Sequence, residues 1–166
     1  MWSGKDLTIC SVAVITTALD QLTKLFARAL LKVGQPVPVI PGFFALELSY
    51  NEGAAFGILP DWTPLLIILG VGALYAFFRL GKNLQERDRI LLIGLGIMMG
   101  GAAGNLIDRI FLGNVTDFLS LHVTIVGKTY AWPTFNLADV GIVASAVMIF
   151  ISVYIREKNI TLNNKV

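Results

Sequence analysis

Charge is what this sequence has least of. Only 14% of its 166 residues are Asp, Glu, Lys or Arg, against about 25% in an ordinary soluble domain. Hydrophobic residues make up 55% of it, and mean hydropathy is +0.73. That balance excludes a water-soluble globule, a disordered tail and a coiled coil, and leaves a membrane protein. A net charge of +2 with no long basic run gives no footprint for nucleic acid. The single cysteine, Cys10, cannot form an internal disulfide, and no CxxC pair exists to hold a metal. Set among Leu7, Ile9 and Val12, it reads as a small apolar helix residue. The single histidine, His122, has no Cys or His partner at ligand spacing, so no metal and no cofactor is expected. At this length one domain, 1–166, is expected.

Uncharged apolar runs stand at Leu7–Leu19, Trp62–Phe78, Ile90–Ile107 and Val140–Ile155. Each falls slightly short of the ~20 residues that cross ~30 Å of hydrocarbon, and each extends across an adjacent polar position. The reading is a mainly α membrane protein with four transmembrane helices, near 7–31, 62–80, 89–110 and 135–156. Lys5 before the first run also fits a secretory signal. Leu22, Leu25, Phe26, Ala29 and Leu30 nevertheless continue at helical spacing beyond Asp20, which favours a retained helix. Lys5, the Arg79, Lys82, Arg87 and Arg89 cluster, and Arg156, Lys158 and Lys165 all fall on one side of four spans. That side is expected to be cytoplasmic, with both termini there.

The outer segments, 32–61 and 111–134, then face away from the cytoplasm. Phe44 to Asn51 alternates apolar and polar residues as a half-buried strand does. Pro36, Pro38 and Pro41 bound it and exclude helix. Leu121 to Val126 can extend, Gly127-Lys128 can turn, and Thr129 to Trp132 can return. A small β-sheet on the extracytoplasmic face is expected, with Trp62 and Trp132 in the aromatic belt.

Polar residues gather at one depth. Asp20 and Lys24 lie in the outer half of the first span. Asn105, Asp108 and Arg109 end the third, Asp117 follows, and Asn136 and Asp139 open the fourth. Ionisable groups at membrane depth are costly and mark functional sites by default. Plainer readings exist for each. Asp20 and Lys24 make an i,i+4 ion pair that can be structural. Gly96, Gly100 and Gly104 form overlapping GxxxG steps for helix packing. Asn136 can be the N-cap of the fourth helix with Asp139 at N3, and Asp117 can be a turn acid. Against these, Gly101, Asn105 and Asp108 lie within roughly 60° on a helical wheel, and two acids come to one depth beside Arg109 and two asparagines.

Five segments stand in the order of a known set of motif boxes. They are Asp20-Gln21-Leu22-Thr23-Lys24, Asn51-Glu52-Gly53-Ala54-Ala55-Phe56, Gly100 to Arg109, Val115-Thr116-Asp117-Phe118, and Phe135-Asn136-Leu137-Ala138-Asp139. The chain resembles lipoprotein signal peptidase (signal peptidase II) over about residues 20 to 142. The resemblance implies an aspartic endopeptidase of the bacterial cytoplasmic (inner) membrane, acting near the outer face. Its substrate would be a diacylglyceryl-modified prolipoprotein, cut just before the lipidated cysteine. By motif position the catalytic pair would be Asp117 and Asp139. Asn51, Gly53, Gly101, Asn105, Arg109 and Asn136 would line the pocket or support the pair, and Asp20 and Lys24 match polar supports. Cyclic peptides such as globomycin would inhibit it. The partners are then substrate and membrane lipid, with no nucleic acid, and the chain is read as a monomer.

The chemistry agrees with the resemblance. His122 lies in an outer segment, no serine or cysteine is expected to have it as a partner, and no HExxH exists. Two carboxyls sharing one proton can activate a water and polarise a carbonyl. The sequence does not say which of them is protonated. The segment Asn51 to Phe56, rich in Gly and Ala, is expected to be a movable lid. Two other classes compete: a four-helix cation transporter using Asp20, Asp108 or Asp139 as a relay, and a scaffold pairing through its GxxxG face.

Overall fold

The computed structural model describes residues 3–53, 62–126 and 128–163. Four long helices are present: α1 (Gly4–Leu30), α2 (Thr63–Asn83), α3 (Arg89–Leu112) and α4 (Leu137–Asn163). Each is long and apolar enough to cross a membrane. Local chemistry sets their ends. Ser3 accepts from the Asp6 amide, and Asp6 accepts from the Ser3 amide, a reciprocal capping box. A proline opens α2, where its missing N–H costs nothing. Gly113, at φ 79°, supplies the left-handed residue that stops α3. α4 continues past the expected end at 156, because its charged Arg156 to Asn159 stretch contains no helix breaker.

Between the helices lies one four-stranded antiparallel sheet in sequence order: β1 (Val37–Ile40), β2 (Phe44–Asn51), β3 (Val115–Ile125) and β4 (Lys128–Ala131). β2 has the bounds that its alternation predicts. β1 was read as a proline-rich flank. It forms because Pro38 sits on an edge strand, where a missing donor is tolerated. The β2–β3 register shifts between Leu46 and Ser49. Beyond that shift Ser49 stands opposite Asp117, and Asn51 opposite Val115.

α3 is the central helix, packed by α1, α4 and α2. Its glycines explain why. A Cβ at Gly96 would lie 2.9 Å from the Ile9 carbonyl oxygen, and one at Gly100 would lie 2.6 Å from that of Ala13. On the other side, a Cβ at Gly101 would lie 2.8 Å from the Ala138 carbonyl oxygen of α4. The GxxxG face is therefore filled inside the chain, which removes the basis of the scaffold reading. Outward-facing positions carry Leu22, Phe26, Ile68, Leu69, Val143 and Phe150, all exposed. That is the surface expected of helices solvated by lipid rather than water.

One end of the bundle carries the amino terminus, the α2–α3 connection and Arg156. There Gly4 N–H donates to Glu86, Lys5 Nζ to the carbonyls of Lys82 and Leu84, and Arg156 to Asp88. The sheet lies at the opposite end, docked through Leu48 and Phe118 onto Ala27 of α1.

Candidate active site

Four elements from different parts of the sequence converge at the sheet end. α1 contributes Asp20, Gln21, Lys24 and Arg28. The end of α3 contributes Asn105, Asp108 and Arg109. The start of α4 brings Asn136 and Asp139 beside Asp117 of β3.

The lower layer is an ion-pair network built on Asp20, Lys24 and Asp108, all buried. Lys24 is fully buried and uses its ammonium on Asp20 at 2.9 Å, Asn105 Oδ1 at 2.7 Å and Asp108 at 3.4 Å. A buried charge persists only with such partners, because desolvation costs several kcal/mol per ion, roughly what good geometry returns. Asp20 does a second task. Its Oδ1 accepts the backbone amide of Ala138 at 3.0 Å, satisfying one of the orphan donors at the start of α4. The Asp20 carboxylate also occupies the space beside Gly104, so no larger residue fits there.

The upper layer holds the two acids. Asn136 and Asp139 form a capping box: Asp139 N–H donates to Asn136 Oδ1 at 3.0 Å, and Asn136 N–H donates to Asp139 Oδ2 at 3.1 Å. The capping role foreseen for both is thus present, and it does not exclude a second role. The Asn136 amide also donates to Asp117 Oδ1 at 2.7 Å and to Asn105 Oδ1 at 3.1 Å. Asn105 in turn donates to Asp139 Oδ1 at 2.8 Å. The Asn51 side chain hydrogen-bonds Asp117, and its Oδ1 accepts from Gly53 N–H at 3.0 Å. Arg109 donates to the Gly53 carbonyl at 2.9 Å and feels the charge of both Asp139 and Asp117. Gly101 is buried one turn below Asn105, against α4. The expected lid, Asn51 to Phe56, lies outside the described residues from Ala54 onward.

Asp117 is buried, at 2% exposure. Burial pushes its carboxyl up to about 7, with the like charge of Asp139 adding to the rise. Hydrogen bonds from Asn136 and Asn51 and the charge of Lys24 oppose it. A carboxyl that still holds its proton near neutrality, facing a second carboxyl, can donate and accept protons in one turnover.

Two features were not foreseen. Gln21 and Arg28 join the network around Asp108, whose place at the end of the third span was expected, and their signal was the same helical spacing that singled out Lys24. Ser120 does have a histidine partner: His122 Nε2 is 3.0 Å from its hydroxyl, because residues two apart share one face of β3. The Ser120 proton, however, goes to Glu47 Oε2 at 3.1 Å. A hydroxyl has one proton, so Ser120 accepts from His122, the reverse of a nucleophile and its base.

Comparison with known proteins identifies the family. The sequence pattern of the family described as Signal peptidase (SPase) II matches residues 12–155. A lipoprotein signal peptidase of Maridesulfovibrio salexigens is 38% identical over 86% of this chain and 92% of its own. One of Solibacter usitatus is 41% identical over 84% of this chain and 86% of its own. A solved structure described as a bacterial membrane enzyme superimposes with a TM-score of 0.81 at 30% identity, covering 92% of this chain and 90% of the other. With four apolar spans around one polar cluster, and with that match over most of its length, the chain belongs to the signal peptidase II family of membrane-embedded lipoprotein signal peptidases.

Proposed function

We propose that this peptidase cleaves diacylglyceryl-modified prolipoproteins just before the lipidated cysteine, with Asp117 and Asp139 as its catalytic pair. The reading rests on one observation. The buried Asp117 carboxyl is tied, through the side chains of Asn136 and Asn105, to a second carboxyl, Asp139, that opens α4.

In this mechanism Asp139 is the carboxylate and Asp117 holds the shared proton. Asp139 takes a proton from a water whose oxygen attacks the scissile carbonyl carbon. Asp117 donates its proton to the carbonyl oxygen, giving a tetrahedral diol. The diol then collapses: Asp117 takes back a hydroxyl proton, Asp139 protonates the leaving amide nitrogen, and the C–N bond breaks. Asn51, Asn105 and Asn136 keep the carboxyl oxygens aimed, and Arg109 holds the Gly53 end of β2 against α3.

Lys and Arg distribution puts the α2–α3 connection and both termini in the cytoplasm. The sheet and the acid pair then lie at the outer face of the bacterial inner membrane. There an apolar signal helix can approach laterally while its diacylglyceryl chains stay in lipid. Trp62 and Trp132, both exposed, suit the interface at that level. Cyclic peptides such as globomycin would compete for the same cleft, and one chain carries all the groups that the reaction uses.

The test is purified protein in detergent with a matched pair of synthetic precursors, one diacylglyceryl-modified at the lipobox cysteine and one not. Cleavage of the modified precursor alone, with the cysteine as the new amino terminus by mass spectrometry, is the expected result. Equal cleavage of both, or a cut elsewhere, would remove the lipid-dependent assignment.

A further inference from the structure

Asp117 is held from three directions, and two of them have no part in the mechanism above. Downstream, the Phe118 and Leu119 amides both donate to the Phe135 carbonyl, at 3.0 and 2.8 Å, fastening β3 to the lead into α4. The side chain is held by Asn136. Upstream, the Thr116 N–H cannot complete a strand pairing on the β4 side, because β4 pairs only with His122 to Ile125. Its partner is instead Asp108 Oδ2, at 2.9 Å and 1% exposure. The Thr116 hydroxyl accepts from Arg28 at 2.8 Å, and Arg28 lies 3.9 Å from Asp108. Gln21 donates to the other Asp108 oxygen at 3.1 Å.

A neutral acceptor would have satisfied the Thr116 amide. A buried carboxylate costs far more, and holding one here requires Lys24, Arg28 and Gln21 from α1. The charge therefore links three elements, α1, α3 and β3, at the residue immediately before Asp117. We propose that Asp108, Arg28 and Thr116 form a positioning clamp that sets Asp117 against Asp139 for the reaction. The inference rests on the acid-pair reading. It adds residues that are placed to act on the reaction by positioning Asp117 rather than by touching the reacting atoms. Displacing a reacting group by about 1 Å can cost roughly 100-fold in rate, and supporting contacts of this kind are what hold a site to such tolerance.

The clamp makes a prediction that a merely structural contact does not. When Asp117 swings away from Asp139 and toward solvent, both causes of its raised pKa weaken. The alkaline limb of kcat then moves to lower pH. The experiment compares Thr116→Val and Arg28→Gln with the unaltered enzyme, with Arg28→Lys as the conservative rescue and Asp117→Asn as the control. Thr116→Val removes one hydroxyl without changing shape, so it stays testable even where Asp108→Ala does not fold. Expected are a kcat lower by roughly 10- to 100-fold, KM within about twofold, an alkaline limb at lower pH, and partial recovery in Arg28→Lys. Unchanged kcat and pH profile in Thr116→Val and Arg28→Gln, with Asp117→Asn inactive, would overturn the clamp and leave the acid pair standing. Lower stability with an unshifted profile would overturn it equally, as structural support only. An active Asp117→Asn would instead reject the acid pair, and the clamp with it.

Discussion

Asn136 Nδ2 and Asn105 Oδ1 are 3.1 Å apart, and this bond joins two crossed pairings: Asn136 serves Asp117, whereas Asn105 serves Asp139. Each acid is thus held by an amide from a different part of the chain. Replacing Asn105 by Ala removes the side-chain donor to Asp139 Oδ1 and one of the acceptors of Lys24 and of Asn136. Unsatisfied buried groups cost about 1–3 kcal/mol each. Asn105→Ala should therefore unfold earlier in a detergent thermal melt and turn over roughly 10- to 100-fold more slowly. A melt and a turnover number equal to those of the unaltered enzyme would show that the asparagine bridge is dispensable.

The pH dependence of catalysis follows from the shared proton. Asp117 is pushed up to about 7 by burial and by Asp139, and an acid that must donate fails once it is deprotonated. The kcat should fall as pH rises through that value, by up to tenfold per unit. The apparent pKa belongs to the pair rather than to one side chain. Single-turnover rates from about pH 5 to about pH 9 would reveal the limb, and a flat profile across neutrality contradicts the assignment.

The same raised pKa makes a prediction about stability. A carboxyl whose folded value lies above its unfolded value binds more protons in the folded state, so stability is lost as pH rises between the two. For Asp117 that window runs from its ordinary 3.8 to about 7. The cost at the upper end is on the order of 2–4 kcal/mol. Asp117→Asn carries no charge and can still accept from Asn136. It should melt higher than the unaltered protein at neutral and alkaline pH, with the gain shrinking toward acid. A gain that grew toward acid would have the wrong sign for a buried, proton-holding carboxyl.

The spans were legible because four long uncharged apolar runs are hard to place anywhere but a bilayer, and β2 because its alternation is clean over Phe44 to Asn51. β1 was not, since three prolines in Pro36 to Pro41 read as a break and only the edge position explains them. The convergence of Asp20, Asn105, Asp117 and Asp139 was anticipated from depth and from the motif boxes. Lys24 as the partner of Asp20 and Asn136 as the cap beside Asp139 were expected from spacing, but the other side-chain partners were not. Periodicity places residues on faces, whereas the crossed Asn105–Asp139 and Asn136–Asp117 pairing depends on how α4 enters above α3, which no local pattern encodes. The Ser120–His122 contact was not legible because the expected strand began at Leu121, whereas β3 runs from Val115 to Ile125 and puts Ser120 and His122 on one face.

The central claim is that Asp117 and Asp139 act together in one hydrolytic step, Asp139 on the water and Asp117 on the scissile carbonyl oxygen. Its most direct test is single-turnover cleavage of a diacylglyceryl-modified precursor by purified Asp117→Asn and Asp139→Asn, with precursor binding measured alongside. Both variants are expected to bind the precursor about as well as the unaltered enzyme and to lose at least about 10²–10⁴-fold in rate. Either variant cleaving at a tenth of the unaltered rate or faster would contradict it.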